Sequence, residues 1–214
     1  MTPSQIIESA RNNLNAINDT LWSEAELLVN LYQVQLHLAR RTQCIETRYS
    51  TTSVASQSEY SKPTNAIEVW RVTYAGAKLQ KISFRELDIL SPNDTSTSTG
   101  TPSYYWYYDQ VLGLHPTPST TGDTIQVYSF DEPSIPTISS TLEVPTQYHD
   151  VLVCGLTYEM VAKEVGHPNT IYWQNRWLSG VAEVEAHVQK KRRSDRFSVV
   201  ATEENALSTN LGII

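Results

Sequence analysis

Five histidines, two cysteines, several carboxylate pairs and one dense run of cations are the residues here whose types could do chemistry. His37, His115, His149, His167 and His187 are scattered, and no His-Glu-x-x-His or comparable spacing sets two imidazoles on one helix face for a metal. His149 and Asp150 stand at the start of an expected helix, where the carboxylate complements the positive dipole end and the imidazole is expected to be exposed. Cys44 and Cys154 lie far apart in apolar helical surroundings. They make no metal spacing and read as buried thiols in a reducing compartment. Glu159 with Glu164, and Glu203 with Glu204, suit solvated faces; a glycosidase needs two carboxylates across a cleft, one in an apolar pocket, which sequence does not exclude. The eight glycines are spread singly, so no phosphate-cradling loop and no Gly-x-Ser-x-Gly elbow is present. No residue is assigned a catalytic role, and no metal or cofactor is expected.

The remaining chemistry is that of surfaces. Lys190, Lys191, Arg192, Arg193 and Arg196 place five of the sixteen basic residues within seven positions. Such a run either complements the dipole at the end of its own helix or docks an acidic partner or DNA phosphates. Residues 194–214 follow, carrying Phe197, Val199, Val200, Leu207, Leu211, Ile213 and Ile214 without helical period. They read as a disordered end or as an arm that orders on another subunit, and their apolar character tilts the basic run toward a protein partner. Tyr104, Tyr105, Trp106, Tyr107 and Tyr108 are uninterrupted aromatic β-formers. A strand turns alternate residues to opposite faces, so one face is expected on the core and the other on an adjacent subunit or another component.

The elements that must position these groups follow from periodicity. A chain of 214 residues and 24.1 kDa suits one domain. With 40% hydrophobic residues and a mean hydropathy of −0.36 it is expected to be soluble, and no apolar run is long enough to cross a membrane. The first residues lack the basic start and apolar run of a signal peptide. A net charge of −7 argues against a general nucleic-acid binder. Ser and Thr make up 45 of the residues, a hydroxyl-rich surface suited to turns and subunit contacts.

Helical spacing predicts helices over 4–18, 23–43, 147–165 and 169–193. Ser4 is the expected first cap, and Ser23 with Glu26 forms a capping box behind a stapling Trp22. Between the second and third long helices, residues 46–145 read as a β-rich insertion with a hairpin turning at Gly76. It also holds a short helix begun by Ser83 and Glu86, and a flexible loop over 91–103. The expected architecture is α+β: a four-helix core with a β-rich insertion, residues 1–193 forming a single domain and 194–214 an extended C-terminal arm. Leu28, Leu31, Leu38, Val151, Tyr158, Trp173, Trp177 and Val184 are expected in one helical cluster.

Four groups of residues, in order, carry a resemblance. Leu14, Ile17, Asn18, Trp22, Ser23, Glu26, Leu27, Leu28 and Asn30 read as a helix, a short turn and a Trp-initiated second helix. Ile67, Trp70, Arg71, Val72, Tyr74 and Gly76 make a hairpin. Leu114, His115, Pro116 and Pro118, then Ile125, Val127 and Tyr128, make an apolar-x-Pro-x-Pro strand and its successor. Val144, Pro145, Tyr148, Asp150, Leu156 and Tyr158 lead into the third large helix. In this order, over about residues 5–193, the chain resembles the head–tail adaptor (connector) proteins of tailed bacteriophages.

The resemblance implies a structural virion protein, made in the host cytoplasm and located at the head–tail interface. Such adaptors form a ring, usually of twelve copies, under the portal protein; the ring extends the DNA channel and offers a platform to a downstream tail or nozzle protein. Genomic DNA passes through the lumen without specific binding, and no membrane or cofactor is involved. The C-terminal arms of the family reach onto the portal, which casts Lys190 to Arg193, Arg196 and the apolar residues after them as the docking arm. Tyr104 to Tyr108, like the 91–103 loop, match no feature of the family and are expected at an inter-subunit or tail contact. A virion-associated cell-wall hydrolase is the alternative from another class. A head-completion or tail-terminator protein is a further one, against which the helical frame argues.

Overall fold

The computed structural model describes residues 1–16, 21–90, 98–164 and 167–210, with Leu90 and residues 194–210 as backbone only. The chain forms two units, Met1–Cys44 with Pro133–Ile214, and Ile45–Glu132 between them.

Thr2, not Ser4, starts the first helix, α1 (Pro3–Asn13). Its hydroxyl accepts from the Gln5 N–H, and the Gln5 side chain accepts from the Thr2 N–H at 2.9 Å. Pro3 takes the first helical position, where a missing N–H costs nothing. The helix ends well before residue 18. Asn15 adopts a left-handed φ of 53°, and the Asn15 and Ala16 N–H groups bond back to the Asn12 and Arg11 carbonyls. That closure satisfies the last carbonyls with Asn in the role usually taken by Gly. Ile17 and Asn18 lie outside the described residues. Helix α2 (Glu24–Thr42) is capped by Ser23, whose hydroxyl accepts from the Glu26 N–H at 3.2 Å. The Glu26 carboxylate reaches Lys163 Nζ at 2.7 Å. Gln43, at φ 52°, closes the far end.

The middle unit holds β1 (Glu46–Thr52), β2 (Glu59–Ser61), β3 (Ala66–Tyr74), β4 (Ala77–Lys78), β5 (Gln80–Lys81) and the short helix α3 (Phe84–Leu90). It continues with β6 (Thr99–Gly100), β7 (Tyr104–Tyr108), β8 (Val111–His115), β9 (Thr117–Pro118) and β10 (Thr124–Asp131). Two four-stranded sheets form, in the orders β1-β10-β3-β4 and β2-β8-β7-β5. The first is antiparallel throughout, and the second has β5 parallel to β7. Their facing sides share one core, with Val69, Val72, Ile125 and Val127 from one sheet and Tyr105, Leu112 and Leu114 from the other. Ala75 and Gly76, both at positive φ, make the two-residue turn from β3 to β4. The stretch expected as a loop over 91–103 contains β6, paired in parallel with β9; residues 91–97 lie outside the described residues.

The β-rich unit closes at Glu132, earlier than residue 145. Pro133 cannot donate to a ladder, so β10 stops there. The Pro-punctuated return belongs with the helices, where Ile138 accepts from the Ser4 N–H at 3.2 Å.

A 3₁₀ turn over Thr146–Tyr148 leads into α4 (His149–Lys163), which packs against α1, α2 and α5 (Thr170–Asn210). Burial of Val151, Leu152, Val153, Leu156, Met160 and Val161 explains why α4 is apolar on several sides. The α5 stripe of Trp173, Trp177, Val181, Val184 and Val188 is buried as its spacing predicts. Of the expected cluster Leu31, Leu38, Val151, Trp173, Trp177 and Val184 are buried, while Leu28 and Tyr158 are half-buried.

α5 does not end at Arg193. The segment read as an extended arm is helical through Asn210. It contains neither Gly nor Pro before Gly212, and extending an existing helix adds one hydrogen bond per residue without a new nucleus. A helix of 41 residues is about 60 Å long.

Candidate docking surfaces

Alternation places the aromatic strand as expected, but the second face has a covering element in its own unit. Tyr105 is 2% exposed in the core between the sheets, and its burial raises its hydroxyl pKa to about 12, with the Tyr107 and Glu68 charges adding to the effect. Tyr107, on the same face, is half-buried, with Lys81 Nζ 4.6 Å from its ring centre and 3.1 Å from its hydroxyl. On the opposite face Trp106 is buried against Ile82 and Leu87, with Tyr104 packed beside it. Phe84 of α3 lies 4.6 Å from the Trp106 ring. The five-ring row therefore leaves Tyr108 outward, 68% exposed, in edge contact with the exposed Phe84 at 5.6 Å. Sequence alone missed that α3, begun by Ser83 and Glu86, lies over the far face.

The basic run has a geometry that the sequence did not suggest. α2 and α5 run side by side in the same direction: His37 meets Trp177 at 5.9 Å, Arg41 Nε lies 3.4 Å from Glu185, and Arg192 reaches Gln43. Arg192 donates to the Gln43 side chain at 2.9 Å and to the Gln43 carbonyl at 3.3 Å. Its charge thus complements the C-terminus of α2, not of its own helix, because α5 continues. Lys190, Lys191 and Arg193 are exposed on the same stretch, and Arg40 and Arg41 are exposed in the last turn of α2. Arg196, Phe197, Val199, Val200 and Leu207 fall on the helical backbone past residue 193, with side chains outside the description. Leu211, Ile213 and Ile214 lie outside the described residues.

Several of the groups with catalytic potential make structural contacts instead. His149 is buried, not exposed; Nε2 donates to the Val144 carbonyl at 2.9 Å and Nδ1 accepts from the Met1 ammonium at 2.8 Å. Burial is the main cause that lowers its pKa below 6.5; the Val144 bond and Asp150 oppose the shift, and the ammonium adds to it. Asp131 is a buried carboxylate, and its oxygens accept from the Tyr49 and Ser129 hydroxyls, the latter at 2.6 Å. Cys44 is buried and Cys154 half-buried, and burial raises both thiol pKa values, so neither is activated as a thiolate. Among the described residues no group of three or more His, Cys, Asp or Glu could hold a metal ion, and no helix is long and apolar enough to cross a membrane.

Among the described residues, the fold sets out for solvent a cationic stretch of α5 and an aromatic corner on the β unit. The chain matches the SU10 adaptor protein family over residues 1–203 and belongs to it, a family of phage head–tail adaptors. No curated protein matches the chain.

Proposed function

We propose that this protein is a structural virion component that forms a ring between the portal and the tail, extending the DNA channel and presenting a docking platform. Membership in the adaptor family over residues 1–203 carries this reading and implies contact with portal and tail proteins. The acidic balance of −7 suits a conduit through which DNA slides without being gripped. The last part of α5 is the portal-docking element, a helix where the sequence pattern suggested an extended arm. The exposed Tyr108 and Phe84 form a contact with an adjacent subunit or with the next tail component.

Mass photometry of the pure protein, alone and with the portal ring of the same phage, tests the reading. The expected result is a defined multimer of about twelve copies seated on the portal. A protein that stays monomeric in the presence of portal rings and leaves their mass unchanged would remove it.

A further inference from the structure

Two stretches of sequence about 150 positions apart become one charged surface only in the folded helical unit. The Arg41–Glu185 pair and the Arg192–Gln43 bonds bring the last turn of α2 against residues 185–192 of α5. Arg40, Arg41, Lys190, Lys191 and Arg193 are all exposed there. Glu185 pairs with Arg41, and Arg192 is committed to the end of α2. On a chain of net charge −7 this is a local reversal of sign.

We infer that Arg40 and Arg41 of α2 join Lys190, Lys191 and Arg193 of α5 in one cationic collar that receives an anionic protein surface. The inference rests on the proposed reading, in which the end of α5 engages another protein, and it adds α2 to the docking surface. A protein is favoured over nucleic acid because the collar stands at the root of a helix whose next residues include Phe197, Val199, Val200 and Leu207. Apolar side chains following cations suit a groove with an acidic rim, not a run of phosphates. The net charge of −7 also disfavours DNA. Charged groups at such a rim set orientation and on-rate, so the collar aligns the protein before the apolar part of the helix seats.

The test measures binding of the full-length chain to the portal ring at about 0.1 M and about 0.5 M salt. R40E/R41E is expected to weaken binding by roughly tenfold or more at the lower salt, with the gap narrowing at the higher. R40Q/R41Q should fall between it and the wild type. If charge reversal prevents folding, as judged by circular dichroism, K190Q/K191Q is read in its place with the same expectation. Wild-type affinity and salt dependence in these variants, together with loss of binding when residues 194–214 are deleted, would sink the collar and leave the docking role of α5 standing. Unchanged binding in the deletion as well would sink both. Tight binding of duplex DNA that depends on Arg40 and Arg41 would make the collar a phosphate site, and a change confined to self-association would make it a contact between copies. Either overturns the inference.

Discussion

Trp106 lies across Gly113, its partner on the neighbouring strand: a β-carbon at residue 113 would stand 2.0 Å from Trp106 Cε2. The glycine is there because the indole needs its space, and the indole in turn covers backbone that a glycine leaves bare. Leu87 and Phe84 of α3 then close over the ring, which is why this face of the aromatic strand is turned inward.

Gly113→Ala is therefore expected to destabilise the protein by about 1–3 kcal/mol through overpacking. Trp106→Ala should cost about 3–5 kcal/mol through lost burial and a cavity. In the Trp106→Ala background the alanine at 113 should be tolerated, because the clash has gone. Urea denaturation of the two single variants and the double variant reads all three, and additive effects would show that the two residues do not crowd one another.

A similar crowding holds the helical unit. A β-carbon on Gly155 would meet Val34 Cγ1 at 2.6 Å and the Trp177 ring at 2.8 Å, so α2 and α5 both press against α4 at this residue. Gly155→Ala gains helix propensity yet should lose stability overall. Trp177→Ala should cost about 3–5 kcal/mol. Thermal melts that leave either variant at the wild-type midpoint would contradict the packing described.

His149 makes stability depend on pH. Its folded pKa lies below 6.5, so the unfolded chain takes up the proton first as pH falls. The contribution is complete above that value and is lost as pH drops from there through the folded pKa. Melting midpoints between about pH 7.5 and pH 5 should therefore decline more steeply in wild type than in His149→Gln, which has no proton to take up. Parallel slopes in the two proteins would show that the imidazole is not held neutral.

Duplex DNA should bind weakly and without sequence preference, since a body of net charge −7 opposes phosphate and direct readout needs a base-contacting element. Fluorescence anisotropy with short duplexes checks this, and a sub-micromolar dissociation constant at physiological salt would be incompatible with it.

Deleting residues 194–214 should leave the melting of the remainder nearly unchanged. Among the described residues the buried α5 stripe runs to Val188, and the cap on α2 is Arg192, so both survive the cut. Portal attachment should be lost. Retained attachment at wild-type affinity would move the docking element elsewhere.

Much of the secondary structure was legible from local chemistry. The Ser23 cap, the Ser83–Glu86 box, the turn at Gly76 and the α5 stripe from Trp173 to Val188 are each set by residues close in sequence, so spacing alone reveals them. Element ends were less legible. Asn15 closing α1 and Thr2 opening it depend on which of several capable residues takes the cap, and α5 past Arg193 depends on continuation from a helix already formed.

By itself the sequence determined the α+β class, the apolar face of each long helix, the aromatic strand and the concentration of cations before the last apolar segment. These are properties of periodicity and composition, and neighbours along the chain suffice to specify them. Only the tertiary structure decided what those features face. It laid α3 over Trp106, so a surface that looked open to a partner became an internal one. It set α2 parallel to α5, so that Arg192 neutralises the end of a different helix and Arg40 and Arg41 join the basic run. It buried His149 between Val144 and the first residue. Each of these pairings joins segments distant in sequence, and their choice rests on how whole faces fit together, which no local pattern encodes.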